Sequence, residues 1–152
     1  MLNTASEMTA FRNTEKPLSA QDLENLEGVI GRSLPEQYKQ HALMYNGGQC
    51  LRKKFSFVEK DRSTESDLDW MLAIYEGEHD NFIKYYNAYK VEELRIPEEL
   101  FPIGHDSGGN LICMHFDSNE IFFWDHEIES KDFSEGIHRI AENLDNFFRD
   151  LH

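Results

Sequence analysis

Cysteine is scarce in this chain: Cys50 and Cys113 are the only two among 152 residues. The opening stretch, Met1 to Lys16, has neither an apolar core nor a small-residue cleavage site. A secreted disulfide framework is therefore not expected, and two reduced thiols in a cytoplasmic protein are. Long apolar runs are missing too, none approaching the roughly 18 residues that a membrane span requires. Positive charge is in short supply: 15 Lys plus Arg stand against 29 Asp plus Glu, a formal net charge of −14. Such a surface repels nucleic-acid phosphate and anionic lipid, which argues against direct binding to either. The signature spacings of familiar enzymes are absent as well, with no GxSxG, GxxxxGK[ST], GxGxxG, HExxH or CxxC anywhere. No catalytic, cofactor-binding or metal-ligating residues follow from the motifs.

What is present is enough chain for one core. A domain of this length buries roughly 70% of the surface its unfolded form exposes, without help from disulfides or metal. Residues 1–17 are polar and aperiodic and read as a loosely ordered arm, leaving residues 18–152 as a single domain. Ser19 with Asp22 at the third helical position marks a helix start, and Leu23, Leu26 and Ile30 follow at helical spacing before Gly31. Leu34-Pro35-Glu36 opens a second helix with Tyr38, Ala42 and Tyr45 on one face, and Asn46-Gly47-Gly48 stops it, a glycine serving as left-handed cap. Leu51, Phe55 and Phe57 alternate with Arg52, Lys54 and Ser56, which predicts a half-buried strand over Cys50 to Val58. Glu59 to Ser66 reads as a charged loop. Asp67 to Leu94 carries aromatics at helix-like spacing, broken near Gly77.

The segment from Phe101 to Glu127 has its turn chemistry written out. Leu111 to Phe116 follows Ser107-Gly108-Gly109-Asn110, and Ile121 to Trp124 follows Asp117-Ser118-Asn119, so these two runs form a hairpin. At the C-terminus Ile137, Ile140, Ala141, Leu144, Phe147, Phe148 and Leu151 recur at three and four residues, predicting an amphipathic helix that starts between Ser134 and Ala141. Helices and strands do not alternate as βαβ units would. The expected class is α+β: a small, curved, mostly antiparallel sheet packed by surrounding helices.

Three kinds of chemistry can be weighed on these residues. His105-Asp106, His115 with Asp117, and Asp125-His126-Glu127 flank the hairpin and carry metal-ligating atoms, yet Asp and His are ordinary turn residues and the spacing matches no metal motif. Cys113 lies in an apolar run, where a small buried hydrophobe is the simpler reading, and no base pattern accompanies Cys50. Acids recur at Glu76, Glu78 and Asp80 and again at Asp125, Glu127, Glu129 and Asp132. With Trp124, whose indole suits either a core or an aromatic anchor rimmed by acids, they form a candidate surface for a basic protein partner.

The order of motifs resembles the SUKH superfamily, the Smi/Knr-like proteins: Leu34-Pro35-x-x-Tyr38 leading to Asn46-Gly47-Gly48, then Phe101-Pro102-Ile103-Gly104, Gly108-Gly109-Asn110-x-Ile112-Cys113, Phe123-Trp124-Asp125-His126-Glu127, and Ile140-Ala141 to Phe147-Phe148-x-x-Leu151. The resemblance covers roughly Leu18 to Leu151. It implies an α+β fold and no catalytic residues. It also implies an immunity protein of a bacterial polymorphic or contact-dependent toxin system, which neutralises a cognate toxin domain, frequently a nuclease or deaminase. A regulatory scaffold like the fungal cell-wall members is the alternative; a metal-dependent enzyme using the hairpin His and Asp residues is the lesser one. Oligomeric state is left open.

Overall fold

Strands that alternate in burial class and strands that are apolar throughout sit in different layers of this protein. The computed structural model describes residues 10–128 and 130–152. In chain order these form β1 (Phe11–Arg12), α1 (Ala20–Ile30), α2 (Glu36–Met44), β2 (Gln49–Cys50), β3 (Lys54–Glu59), β4 (Arg62–Asp67), β5 (Trp70–Met71), α3 (Phe82–Tyr86, continued by a π-helical stretch Asn87–Glu92), β6 (Leu100–His105), β7 (Leu111–His115), β8 (Ile121–Trp124), β9 (Ile137–Ala141) and α4 (Leu144–Arg149). Five strands make one antiparallel sheet in the order β5-β6-β7-β8-β9, while β1 pairs with β2 and β3 with β4 in separate two-stranded ribbons. The fold is α+β.

The apolar runs of β7 and β8 have no polar face because both faces of the central sheet are covered. Phe101, Ile112, Met114, Ile121 and Phe123 point into the main core, which also holds Leu23 and Leu26 of α1, Tyr38 of α2, Phe55 and Phe57 of β3, and Phe147 and Phe148 of α4. Leu100, Leu111, Cys113, Phe122, Trp124 and Ile137 point to the opposite face, where Ile96 and the partly buried Tyr85 and Tyr89 cover them. Phe57 stacks on Phe123 at 4.7 Å between ring centroids, which fixes the β3–β4 ribbon against the sheet. Fully burying one such aromatic or aliphatic side chain contributes about 1.5–3 kcal/mol, so the two-sided sheet is the principal source of stability.

The first helix forms as its sequence dictates. Ser19 Oγ accepts the Asp22 N–H at 3.2 Å and Asp22 Oδ2 accepts the Ser19 N–H at 2.8 Å, a reciprocal cap. The second of these bonds comes first among the causes that hold the Asp22 carboxyl below its usual range. Gly31 closes the helix at φ 73°. The second helix differs from expectation at both ends, with Pro35 at its N-cap and the extended Tyr45 at its C-cap. Gly47 and Gly48 are left-handed (φ 72° and 99°) but serve a different purpose: a Cβ on Gly47 would sit 2.6 Å from the Ala73 Cβ, and one on Gly48 would sit 2.5 Å from the Arg12 carbonyl oxygen. They allow three stretches of backbone to meet.

Four expectations are corrected. Glu59 to Ser66 is no loop: β3 and β4 pair from Lys54↔Asp67 to Glu59↔Arg62 around Lys60 and Asp61, both at positive φ (49° and 64°), the geometry of a two-residue hairpin turn. Leu68, Met71 and Leu72 are buried but lie in and beside β5, not in a helix. Ile137 to Ala141 is a strand, paired to β8 through Trp124↔Ile137 and Phe123↔His138, and α4 begins only at Leu144, capped by Asn143. Spacings of three and four residues cannot distinguish a helix from a strand, a break and a short helix. Of the arm, residues 1–9 lie outside the described residues, whereas Phe11 packs on His41, Tyr45 and Phe148 at centroid distances of 5.1, 4.7 and 5.3 Å, tying the next segment down.

Candidate binding face

One row of paired residues crosses the central sheet: Trp70 opposite His105, His105 opposite Leu111, Leu111 opposite Trp124, and Trp124 opposite Ile137. Every residue one step beyond this row emerges at the same end. Asp69, Asp106, Asn110 and Asp125 therefore share that end, and the sheet itself brings together acids far apart in sequence.

Asp106 organises the turn between β6 and β7. It is only 4% exposed, and a buried carboxylate is tolerated only when its oxygens are satisfied. Its Oδ1 accepts the backbone N–H groups of Gly108 (2.9 Å) and Asn110 (2.7 Å), and its Oδ2 accepts Ser66 Oγ–H and Asn110 Nδ2–H, both at 2.8 Å. Next to it, Asp67 Oδ1 accepts the N–H and the hydroxyl of Ser107 at 2.9 and 3.1 Å. The Gly-Gly-Asn turn is thus held from outside by β4, and Gly109 at φ 91° permits its path.

Asn110 carries the connection onward to the second acidic segment. Its Oδ1 accepts the His126 N–H at 3.1 Å and lies 2.7 Å from His126 Nδ1. The His126 carbonyl in turn accepts Arg95 Nη2–H at 3.0 Å. Arg95 lies over Trp124 and Tyr89, with its guanidinium carbon 5.1 and 5.4 Å from the ring centres. The Asp125–Glu127 turn is clamped from two sides, and Asp125 Oδ1 tightens it by accepting the Glu127 N–H at 2.9 Å.

The first acidic segment reaches the same network through His105. Asp80 Oδ1 lies 2.5 Å from His105 Nε2, and His105 Nδ1 lies 2.9 Å from the Asp106 carbonyl oxygen. Both ring nitrogens face oxygen atoms. Tyr85 stacks on this ring at 5.7 Å with the planes 6° apart. Two buried asparagines fix the rest of the loop. Asn46 Oδ1 accepts the Ile74 N–H at 2.7 Å, while Asn81 donates to the Tyr75 and Gly77 carbonyls at 2.7 and 3.2 Å.

The acids expected to contact a partner are distributed unevenly over this frame. Asp80 and Asp125 flank the network and are partly buried; Glu76, Glu78, Glu127 and Asp132 are exposed. Glu78 is paired with Lys84 at 2.9 Å, a contact that holds its carboxyl below the usual range. Asp132 turns inward on its own loop, accepting the Ser134 N–H at 2.9 Å. Glu129 lies outside the described residues. Trp124 is a correction: at 1% exposure it belongs to the core, its Nε1 finds no acceptor among the described residues, and it is no surface anchor. Arg95 and Asn110, which clamp the Asp125–Glu127 turn from two sides, were not among the expected residues; the Gly-Gly-Asn pattern was the only sequence signal for the latter.

Cys50 and Cys113 are free and buried, and burial pushes their thiols up, Cys50 to about 12, which removes both from nucleophilic use at neutral pH. Among the described residues no three His, Cys, Asp or Glu side chains converge to hold a metal ion. No helix among them is long and apolar enough to cross a membrane.

An antiparallel sheet packed by helices places this protein in the α+β class. A family model described as SMI1-KNR4 cell-wall matches residues 20–148. The chain belongs to this SUKH, or SMI1–KNR4, family, whose members commonly serve as immunity proteins. It is 32% identical over 141 residues to the SPbeta prophage-derived uncharacterized protein YokK of Bacillus subtilis strain 168, the match spanning 84% of this chain and 71% of that protein.

Proposed function

We propose that this chain is a non-enzymatic, cytoplasmic immunity protein that binds a cognate bacterial toxin domain, a basic nuclease or deaminase, and neutralises it by occluding its active surface. The observation that carries this reading is the rigid joining of two acidic segments at one end of the sheet, through Asp80–His105 on one side and Asn110–His126 on the other. A toxin that handles nucleic acid carries a basic groove. A net charge of −14 steers the inhibitor toward it, and carboxylates held in place can stand where phosphates would. Because the acidic turns are already ordered, little conformational entropy is lost on docking. Affinity is expected at a Kd on the order of nanomolar or below, as for other nuclease–immunity pairs.

The test is co-expression with the toxin gene that neighbours this one. Survival of cells carrying both, and death of cells carrying the toxin alone, is the expected result; failure to rescue removes the proposal. The electrostatic part is checked separately by the association rate in rising salt, which should fall markedly. A rate indifferent to ionic strength would leave shape, not charge, as the basis of recognition.

A further inference from the structure

Two adjoining cavities open beside the sheet-end network and share Glu15 and Tyr75 as their common wall. The larger, about 680 Å³, lies between α1 and the loop that leads into α3, on a floor of Leu18, Leu26, Val29, Ile74 and Ile83. The smaller, about 620 Å³, runs past Trp70 to Asp80. Val29 is 71% exposed although it lies one turn along α1 from the buried Leu26. Single exposed aliphatic residues are ordinary, but here Val29 continues into the partly buried Leu18, Ile74 and Ile83, so the groove is a contiguous apolar strip.

Charge around the strip is one-sided. Glu15, Asp22, Glu76 and Asp80 line the two cavities against the single lysine Lys16. Carboxylates in this number reject a phosphate-bearing occupant, whether nucleic acid or anionic lipid, while an apolar floor gives a small cation nothing to fill it. The walls are also ordered in advance. Asn46 and Asn81 fix the loop by four hydrogen bonds to the Ile74, Tyr75 and Gly77 backbone, and His105 orients Asp80.

We infer that this groove receives an amphipathic segment of a basic protein partner, apolar side chains over Val29 and Ile83 and lysine or arginine side chains against Glu15, Glu76 and Asp80. The inference rests on the immunity reading only in naming that partner as the toxin. The groove itself is defined by its chemistry.

Titration calorimetry of the full chain with two synthetic peptides tests it. Both are about 18 residues, long enough for a helix, with leucines at helical spacing and either lysines or glutamates elsewhere. The lysine peptide should bind and the glutamate peptide should not. Val29→Glu, at a site too exposed to affect folding, should weaken the lysine peptide about tenfold or more, and Glu76→Lys should weaken it several-fold, whereas Glu135→Lys outside the groove should not. Equal binding of both peptides, or Val29→Glu behaving as wild type, overturns the groove. With the cognate toxin, Val29→Glu should abolish protection in co-expressing cells. Undiminished protection by this variant would overturn the groove as the toxin's seat while leaving the immunity reading intact. Failure of the wild-type chain to protect would overturn that reading, and the peptides would still decide the groove.

Discussion

Replacing Asn110 with aspartate changes one amide nitrogen to oxygen, and the structure places that atom 2.8 Å from Oδ2 of the buried Asp106. The variant keeps an acceptor for His126 but loses the donor to Asp106. A hydrogen bond to a charged group contributes about 1.5–3 kcal/mol. In its place two carboxylates face each other, and at about 4 Å with the effective dielectric of a partly screened site their repulsion is about 4 kcal/mol before the side chains relax. Rotation of the new aspartate toward solvent recovers part of this, so a net loss of about 3 kcal/mol at neutral pH is expected. For a chain of this size that corresponds to a fall in Tm of about 6–12 °C. Asn110→Ala, which removes both contacts without adding charge, should cost less than Asn110→Asp. Urea unfolding monitored by tryptophan fluorescence and by circular dichroism measures both variants. If Asn110→Asp lies within about 0.5 kcal/mol of wild type, or if the alanine variant is the worse of the two, the Asp106-centred account of the turn is wrong.

Three further outcomes follow from particular residues. Burial lowers His41 to about 3, so the unfolded chain takes up a proton near pH 6.5 while the folded chain does not. This residue's stabilising share is complete above pH 6.5 and is lost toward pH 3, at about 1.4 kcal/mol per pH unit; His41→Phe should flatten the stability–pH curve by that amount in urea titrations between these limits, and an unchanged slope would refute the assignment. Lys60 and Asp61 both occupy left-handed backbone, so Lys60→Asn with Asp61→Gly should raise stability by about 0.5–1 kcal/mol in thermal melts. Cys113, at 0% exposure with its thiol shifted far upward, should resist a thiol reagent in the native protein and react once urea unfolds it; rapid labelling of two thiols per chain without denaturant would contradict the packing.

How much of this was legible depended on whether local rules and tertiary placement agreed. The Ser19–Asp22 cap and the turns around Gly109 and Asn119 are local devices, and they produce the helix and the hairpin that their residues specify. The β3–β4 ribbon was hidden because β4, reading Arg-Ser-Thr-Glu-Ser-Asp, is polar and largely solvent-facing, and because its turn uses Lys-Asp where Asn-Gly would have signalled it. Ile137 to Ala141 became a strand because β8 offers it a partner, a fact that no window of nearby residues contains. The acidic segments were visible as composition. Their joining was not, since it depends on strand register across β5 to β9 and on Arg95, 31 residues from the carbonyl it holds. Trp124 beside three polar residues suited either a core or an anchor, and the second packed face of the sheet places it in the core.

That second face has an evolutionary consequence. With both faces of β6, β7 and β8 committed to packing, substitutions within those strands act first on folding and offer little new contact chemistry. Substitutions in the turns at the strand ends alter the outer surface while the hydrogen bonds of Asp106 keep the frame in place. A lineage built this way can change its outer surface by rewriting exposed turn residues, while the buried strands and the residues bonded to Asp106 stay as they are.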